Sequence, residues 1–231
     1  MRKYPLVTNE FYHIVNRSIA KFKVFNNDND YQRMINLIYY YQNGKTAISY
    51  SRYIQLPDNL QKTILKNLRK NKQDQIVRIV AYCLMPTHIH LLLQQKQDNG
   101  IQWYMSNILN GYSRFFNIAH KRKGPLWESR FKNILVDNDS QLLHLTRYIH
   151  LNPSSANITK KPEDWKWSSY DEYLTRKDSV NSISNHYDII NLKPGEYRHF
   201  VEDRIHYQKQ LSEIKYQDNA CKRGYKDKYY R

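Results

Sequence analysis

Apolar and polar residues alternate through EFYHIVNRS (Glu10–Ser18), the pattern of a strand with one face in a core. The period then changes. In NNDNDYQRMINLIYYYQ, Met34, Leu37, Ile38 and Tyr41 recur at helical spacing behind Asn and Asp caps, which predicts a helix from near Asp30. Residues 43–75 are polar and mixed, with a short helix predicted over Asp58–Asn71. QIVRIVAYCLM (Gln75–Met85) reads as a strong strand, and Pro86-Thr87 breaks it before HIHLLLQQ starts another, close enough for an antiparallel hairpin. Gly100–Gly124 reads as a helix that ends in a basic cluster with a glycine stop. PLWESRFKNILVD reads as a returning strand. Asn138–Ser155 reads as a helix capped by Asp139 or Ser140 and ended by Asn152-Pro153.

The order strand, helix, strand, strand, helix, strand, helix predicts an α+β fold, an antiparallel sheet with helices packed on it. Past residue 157 the pattern weakens. Residues 1–157 are expected to form the main domain, and residues 158–231 an extension whose tryptophan-rich EDWKWSSYDEYL packs on the core. The final CKRGYKDKYYR lacks apolar periodicity and is basic, so a flexible tail that contacts phosphates is expected. There is no internal repeat.

Composition changes the picture mainly through charge. The 231-residue chain carries 37 Lys and Arg against 21 Asp and Glu, a formal net charge of +16. Such an excess attracts polyanions through steering and counterion release, which favours nucleic acid as partner. No stretch reaches the roughly 18 apolar residues of a membrane span. The N-terminal MRKYPLVTNEFYHIV lacks the apolar core of a signal peptide, so a cytoplasmic location is expected. Cys83 and Cys221 suggest neither a disulfide framework nor a cysteine-based zinc site. The 21 tyrosines suit base stacking between basic residues, and equally suit a codon bias toward Tyr, Asn, Lys and Ile.

Candidate chemistry centres on MPTHIHLLLQ (Met85–Gln94). Residues i and i+2 of a strand point to one side, which sets the β-carbons of His88 and His90 roughly 6–7 Å apart. Two imidazoles there suit either one divalent metal ion or a half-solvated strand face. Tyr148 and Asn152 lie four residues apart on a predicted helix and project together.

YCLMPTHIHLLLQ resembles the histidine–hydrophobic–histidine motif of the HUH endonucleases, and specifically that of the REP-associated tyrosine transposases among the single-tyrosine HUH transposases. Further segments agree in order. YHIVNRS and VFNNDNDY resemble the family's first strand and the start of its following helix. GPLWESRFK is similar to its Gly-x-Leu-Trp segment, RYIHLNPSSA to its Arg-Tyr-Ile-x-Leu-Asn-Pro segment, and WKWSSYDEY to its Trp-x-Trp-Ser-Ser-Tyr box.

The resemblance implies the ferredoxin-like HUH endonuclease fold, with Tyr148 as nucleophile. It implies His88, His90 and Asn152 as ligands of a divalent metal, Mg²⁺ or Mn²⁺, and a transposase that cuts and rejoins single-stranded or hairpin DNA of palindromic repeats through a 5′-phosphotyrosine. Monomers and homodimers both occur among such proteins. Thr87 stands where the family usually has Asn, and His150 where it often has Glu. Lys121, Arg122 and Lys123, with Arg130 and Lys132, are candidate DNA contacts or simply solvated charge. His144, on the face of Tyr148, is a candidate for proton transfer or a plain surface residue. Two other classes stay open: a hairpin-binding protein without turnover, and a zinc hydrolase built on His88 and His90.

Overall fold

The computed structural model describes residues 5–42, 44, 46–70, 75–175, 182–205, 207, 208 and 210. In chain order these form β1 (Phe11–Arg17), α1 (Asp28–Tyr41), α2 (Tyr50–Tyr53), α3 (Asp58–Lys70), β2 (Val77–Met85), β3 (His88–Gln95), α4 (Gly100–Ala119), β4 (Lys132–Leu135), α5 (Asp139–Ser155), α6 (Tyr170–Leu174) and α7 (Pro194–Glu202). The four strands make one antiparallel sheet in the order β2-β3-β1-β4. The α+β arrangement expected from the pattern is therefore the one observed.

Helices cover both faces of this sheet, which explains the unbroken apolar runs in β2 and β3. Tyr12, Ile14, Ile89, Leu91 and Leu93 pack with Met34, Leu37 and Ile38 of α1 and with Tyr104, Ile108 and Tyr112 of α4. On the opposite face Val80, Ala81, Cys83 and Leu92 pack with Leu142, Ile149 and Leu151 of α5 and with Tyr170, Tyr173 and Tyr197 of α6 and α7. A bulge between Ile79 and Ala81 inserts Val80 and changes which alternate residues of β2 face each layer.

The sheet's β2 edge is covered from residues beyond 157. Leu84 donates its N–H to the Trp167 carbonyl and Ser169 donates its own to the Tyr82 carbonyl, so 167–169 run beside β2 and occupy its free backbone groups. Trp165 donates Nε1–H to the Leu84 carbonyl at 3.0 Å, and Trp167 stacks on Tyr31 with ring centroids 4.8 Å apart. The basic C-terminal segment and Cys221 lie outside the described residues.

Three helix ends differ from expectation. Asn138, rather than Asp139 or Ser140, caps α5 by accepting from the Gln141 N–H. α4 stops at Ala119, ahead of Gly124, where the following His120 stacks on Phe116 and bonds Asp30. α5 continues through Pro153 to Ser155. Proline removes the donor to Ile149, four residues back. The Asn152 side chain stands in for it, donating Nδ2–H to the carbonyls of Tyr148 (2.8 Å) and Ile149 (3.4 Å).

Candidate active site

The two-residue turn Pro86-Thr87 fixes the start of β3. The Pro86 carbonyl accepts from Val24 and Phe25, and the Thr87 carbonyl accepts from Ser18. His88 and His90 thus enter β3 on the face that α5 covers, while Ile89 and Leu91 face α1 and α4 as the alternation requires. Their rings meet edge to face, with centroids 4.9 Å apart.

α5 brings Tyr148 to this face. Its ring stands edge-on to His90 at 5.8 Å and to His13 of β1 at 6.0 Å between centroids, and the side chain keeps an opening to solvent at 39% exposure. The candidate nucleophile and the paired histidines therefore share one face of the sheet within a single chain. Burial raises the phenol above its ordinary pKa, and the nearby Arg17 guanidinium pulls it back down.

Each predicted ligand has one atom engaged and one left over. His88 pairs through Nδ1 with Thr87 Oγ1 at 3.0 Å, and His90 through Nδ1 with His13 Nε2 at 2.9 Å. In both rings Nε2 remains. For Asn152, the nitrogen faces two carbonyls, which assigns the amide orientation and leaves Oδ1 to accept. Burial holds the His88 imidazole down at about 4 and the fully enclosed His90 well below its usual range, so both are neutral near pH 7 with a lone pair to offer. Two imidazoles and an amide oxygen are a chemically suitable but weak donor set for Mg²⁺ or Mn²⁺. Among the described residues no group of three or more His, Cys, Asp or Glu side chains is arranged for a metal ion.

Thr87, which stands where the family usually has Asn, has a defined place in the site. It is the hydrogen-bond partner of His88, a place an Asn side chain also fills chemically.

Two residues here lie outside the motifs that mark the site, although Arg17 also reads from the sequence as a possible DNA contact. His13 is buried at 7% exposure and meets His90 edge to edge. Arg17 pairs with His88 in the β1–β3 register, and its charge lowers the pKa of His88, His90 and Tyr148 alike. The alternation of YHIVNRS carries the signal, since His13, Val15 and Arg17 share one face of β1.

The basic candidates separate. Lys132 of β4 pairs with Val15, which pairs with His90 on its other side, so Lys132 shares the sheet face of the site. Lys121, Arg122 and Lys123 follow α4 on the other layer, and Arg122 is spent on the carbonyls of Gly124 and Pro125 and on Asn117. Arg130 is exposed, and its carbonyl accepts from Asn16. His144 bonds Arg147 at 2.8 Å and lies against Phe200 of α7.

His150 faces the interior, on the side of α5 away from Tyr148. Its Nδ1 pairs with Tyr197 Oη at 2.7 Å and its Nε2 with Ser169 Oγ at 2.8 Å. Tyr197 also donates to Thr146 Oγ1 at 2.9 Å. A buried network thus ties the helix that carries Tyr148 to α7 and to the segment before α6.

Residues 46–152 match the family model described as Transposase IS200 like, a span that includes His88, His90, Tyr148 and Asn152. The matched span is a little under half of the chain, and over it the chain is similar to IS200-like transposases. A curated protein of Haemophilus influenzae named as a REP-associated tyrosine transposase is 31% identical over 101 residues, covering 39% of this chain and 57% of that protein. The chain thus spans little more than half the length of that relative. A solved structure described as a REP-associated tyrosine transposase bound to a REP hairpin aligns over 83% of this chain and 93% of its own, at 17% identity and a TM-score of 0.49. No helix among the described residues is long and apolar enough to cross a membrane.

Proposed function

We propose that this chain is a metal-dependent, single-tyrosine HUH transposase that cleaves and rejoins single-stranded, hairpin-forming DNA. One observation carries the reading: the Tyr148 ring lies against His90, which with His88 keeps Nε2 available on the same sheet face. His88, His90 and Asn152 Oδ1 would hold the divalent ion, which when bound orients the scissile phosphate and offsets its developing charge.

Tyr148 Oη attacks phosphorus and the bond from phosphorus to the 3′ oxygen breaks. The phenolic proton passes to solvent, the departing oxygen takes up a proton, and a 5′-phosphotyrosine remains. Because a phosphodiester bond is exchanged for a phosphotyrosyl bond, a free 3′-hydroxyl can reverse the reaction on another strand without an external energy source. Arg17, close enough to lower the Tyr148 pKa, favours the phenolate and meets the incoming phosphate. Lys132 extends that positive character across the same sheet face. The main domain at 1–157 supplies these groups, and Ser169 and Tyr197 from the extension at 158–231 support the helix that carries Tyr148.

The test is recovery of a covalent protein–DNA adduct on hairpin oligonucleotides with Mg²⁺ or Mn²⁺. The adduct is expected to vanish in Tyr148→Phe and with EDTA. Hairpin binding with no adduct, unchanged by Tyr148→Phe or by metal removal, overturns the reading in favour of a binding protein without turnover.

A further inference from the structure

We infer that His13 is a positioning residue for the site: its Nε2 accepts the Nδ1–H of His90, which holds His90 in the tautomer whose Nε2 lone pair is free for a divalent cation. The inference rests on the proposed metal-dependent reading and extends it to a residue outside the presumed ligands.

The geometry is specific. His13 lies diagonal to His90 across the β1–β3 pair, since Val15 is the residue opposite His90 and His13 is two positions along. At that separation long or ring side chains of neighbouring strands can meet. The rings lie edge to edge and nearly coplanar, with centroids 5.2 Å apart and planes inclined by 16°, and Nε2 of one reaches Nδ1 of the other at 2.9 Å. Both residues are nearly closed to solvent, at 7% and 3% exposure. Water therefore competes poorly for this bond.

A hydrogen bond between two neutral imidazoles has one donor and one acceptor. If His13 donated, the single ring proton of His90 would sit on Nε2, and that nitrogen could not bind a metal. If His90 donates, its proton sits on Nδ1 and Nε2 is left with a lone pair. Metal-binding histidines ordinarily fix their tautomer through the second ring nitrogen in this way, most often with a carboxylate, a carbonyl or water. Here the acceptor is another imidazole. Thr87 serves the equivalent nitrogen of His88. The two candidate histidine ligands are thus each held by a different neighbour, one from the turn before β3 and one from β1.

The experiment uses the full chain. Long-range ¹H–¹⁵N spectra of the metal-free protein read the His90 tautomer directly, and Mn²⁺ titration followed by electron paramagnetic resonance reads affinity. The wild type is expected to show His90 protonated at Nδ1. His13→Phe keeps a ring of similar bulk and removes the acceptor; it is expected to shift His90 toward Nε2–H and to weaken Mn²⁺ binding about 10- to 100-fold. His13→Gln, whose Oε1 can accept, is expected to remain within about threefold of wild type, a rescue that packing alone does not explain.

A wild-type His90 protonated at Nε2 overturns the inference without any variant. So does a folded His13→Phe that binds Mn²⁺ as wild type does. If His13→Phe fails to fold, the wild-type tautomer and the Gln variant decide. A wild type that binds no Mn²⁺ at the His88 and His90 resonances overturns the metal-dependent reading itself and this inference with it. Normal wild-type binding with indifferent variants overturns the inference alone.

Discussion

Replacing Tyr197 with Phe removes one oxygen from the interior and leaves the ring in place. Tyr197 is 1% exposed, and its hydroxyl serves both His150 Nδ1 and Thr146 Oγ1. Thr146 keeps its bond to the Leu143 carbonyl, so the variant orphans one group, the His150 Nδ1. His150 has 0% exposure and cannot turn to water. An unsatisfied buried polar group costs about 1–3 kcal/mol, and loss of the second bond adds a smaller amount, for a sum of about 2–3 kcal/mol. With a urea dependence of about 2–3 kcal/mol per molar, the unfolding midpoint is expected to fall by about 1 M. Urea melts followed by far-UV circular dichroism measure it. A midpoint within about 0.2 M of wild type, with an unchanged slope, would refute the reasoning that this network ties α5 to α7.

Thr87→Val removes the partner of His88 Nδ1 while keeping side-chain shape. Mn²⁺ affinity is expected to fall about tenfold with little change in melting temperature, and Thr87→Asn to retain it; equal affinities in all three proteins would contradict the role given to Thr87. Arg17→Ala is expected to slow adduct formation by about 10- to 100-fold and to move the alkaline limb of the pH–rate profile upward, because Arg17 lowers the Tyr148 pKa. An unmoved profile would remove Arg17 from the site. Burial pushes His150 down to about 3, so between the ordinary histidine pKa near 6.5 and that value the unfolded chain binds a proton the folded chain does not. Its contribution to stability is complete above about pH 6.5 and is lost as pH falls toward 3, at about 1.4 kcal/mol per pH unit near pH 5. Urea melts of wild type and His150→Gln from pH 7 to 4.5 are expected to differ in pH slope by about one proton, and parallel curves would count against it.

Much of this site was legible because it rests on short-range periodicity. The i, i+2 spacing of His88 and His90 and the i, i+4 spacing of Tyr148 and Asn152 fix which side chains travel together on any strand or helix. Register and layer are not encoded so locally. His13 reaches His90 only because β1 inserts between β3 and β4 with Val15 opposite His90, a pairing of segments about 75 residues apart. The same limit applies to the basic residues. Lys121–Lys123 and Lys132 sit in one basic stretch of the chain, yet the sheet separates them onto different sides. Pro153 misled for a different reason: a proline ends a helix when the carbonyl it orphans has no other donor, and here Asn152 supplies one.

Tyr148 and His150 stand two residues apart on α5 and look in opposite directions, one toward the paired histidines and one into the sealed network with Tyr197 and Ser169. The location of the reactive hydroxyl is therefore set from behind, by groups no DNA strand can touch. On the proposed reading, surface residues around the site can be changed to suit another DNA sequence without moving the hydroxyl.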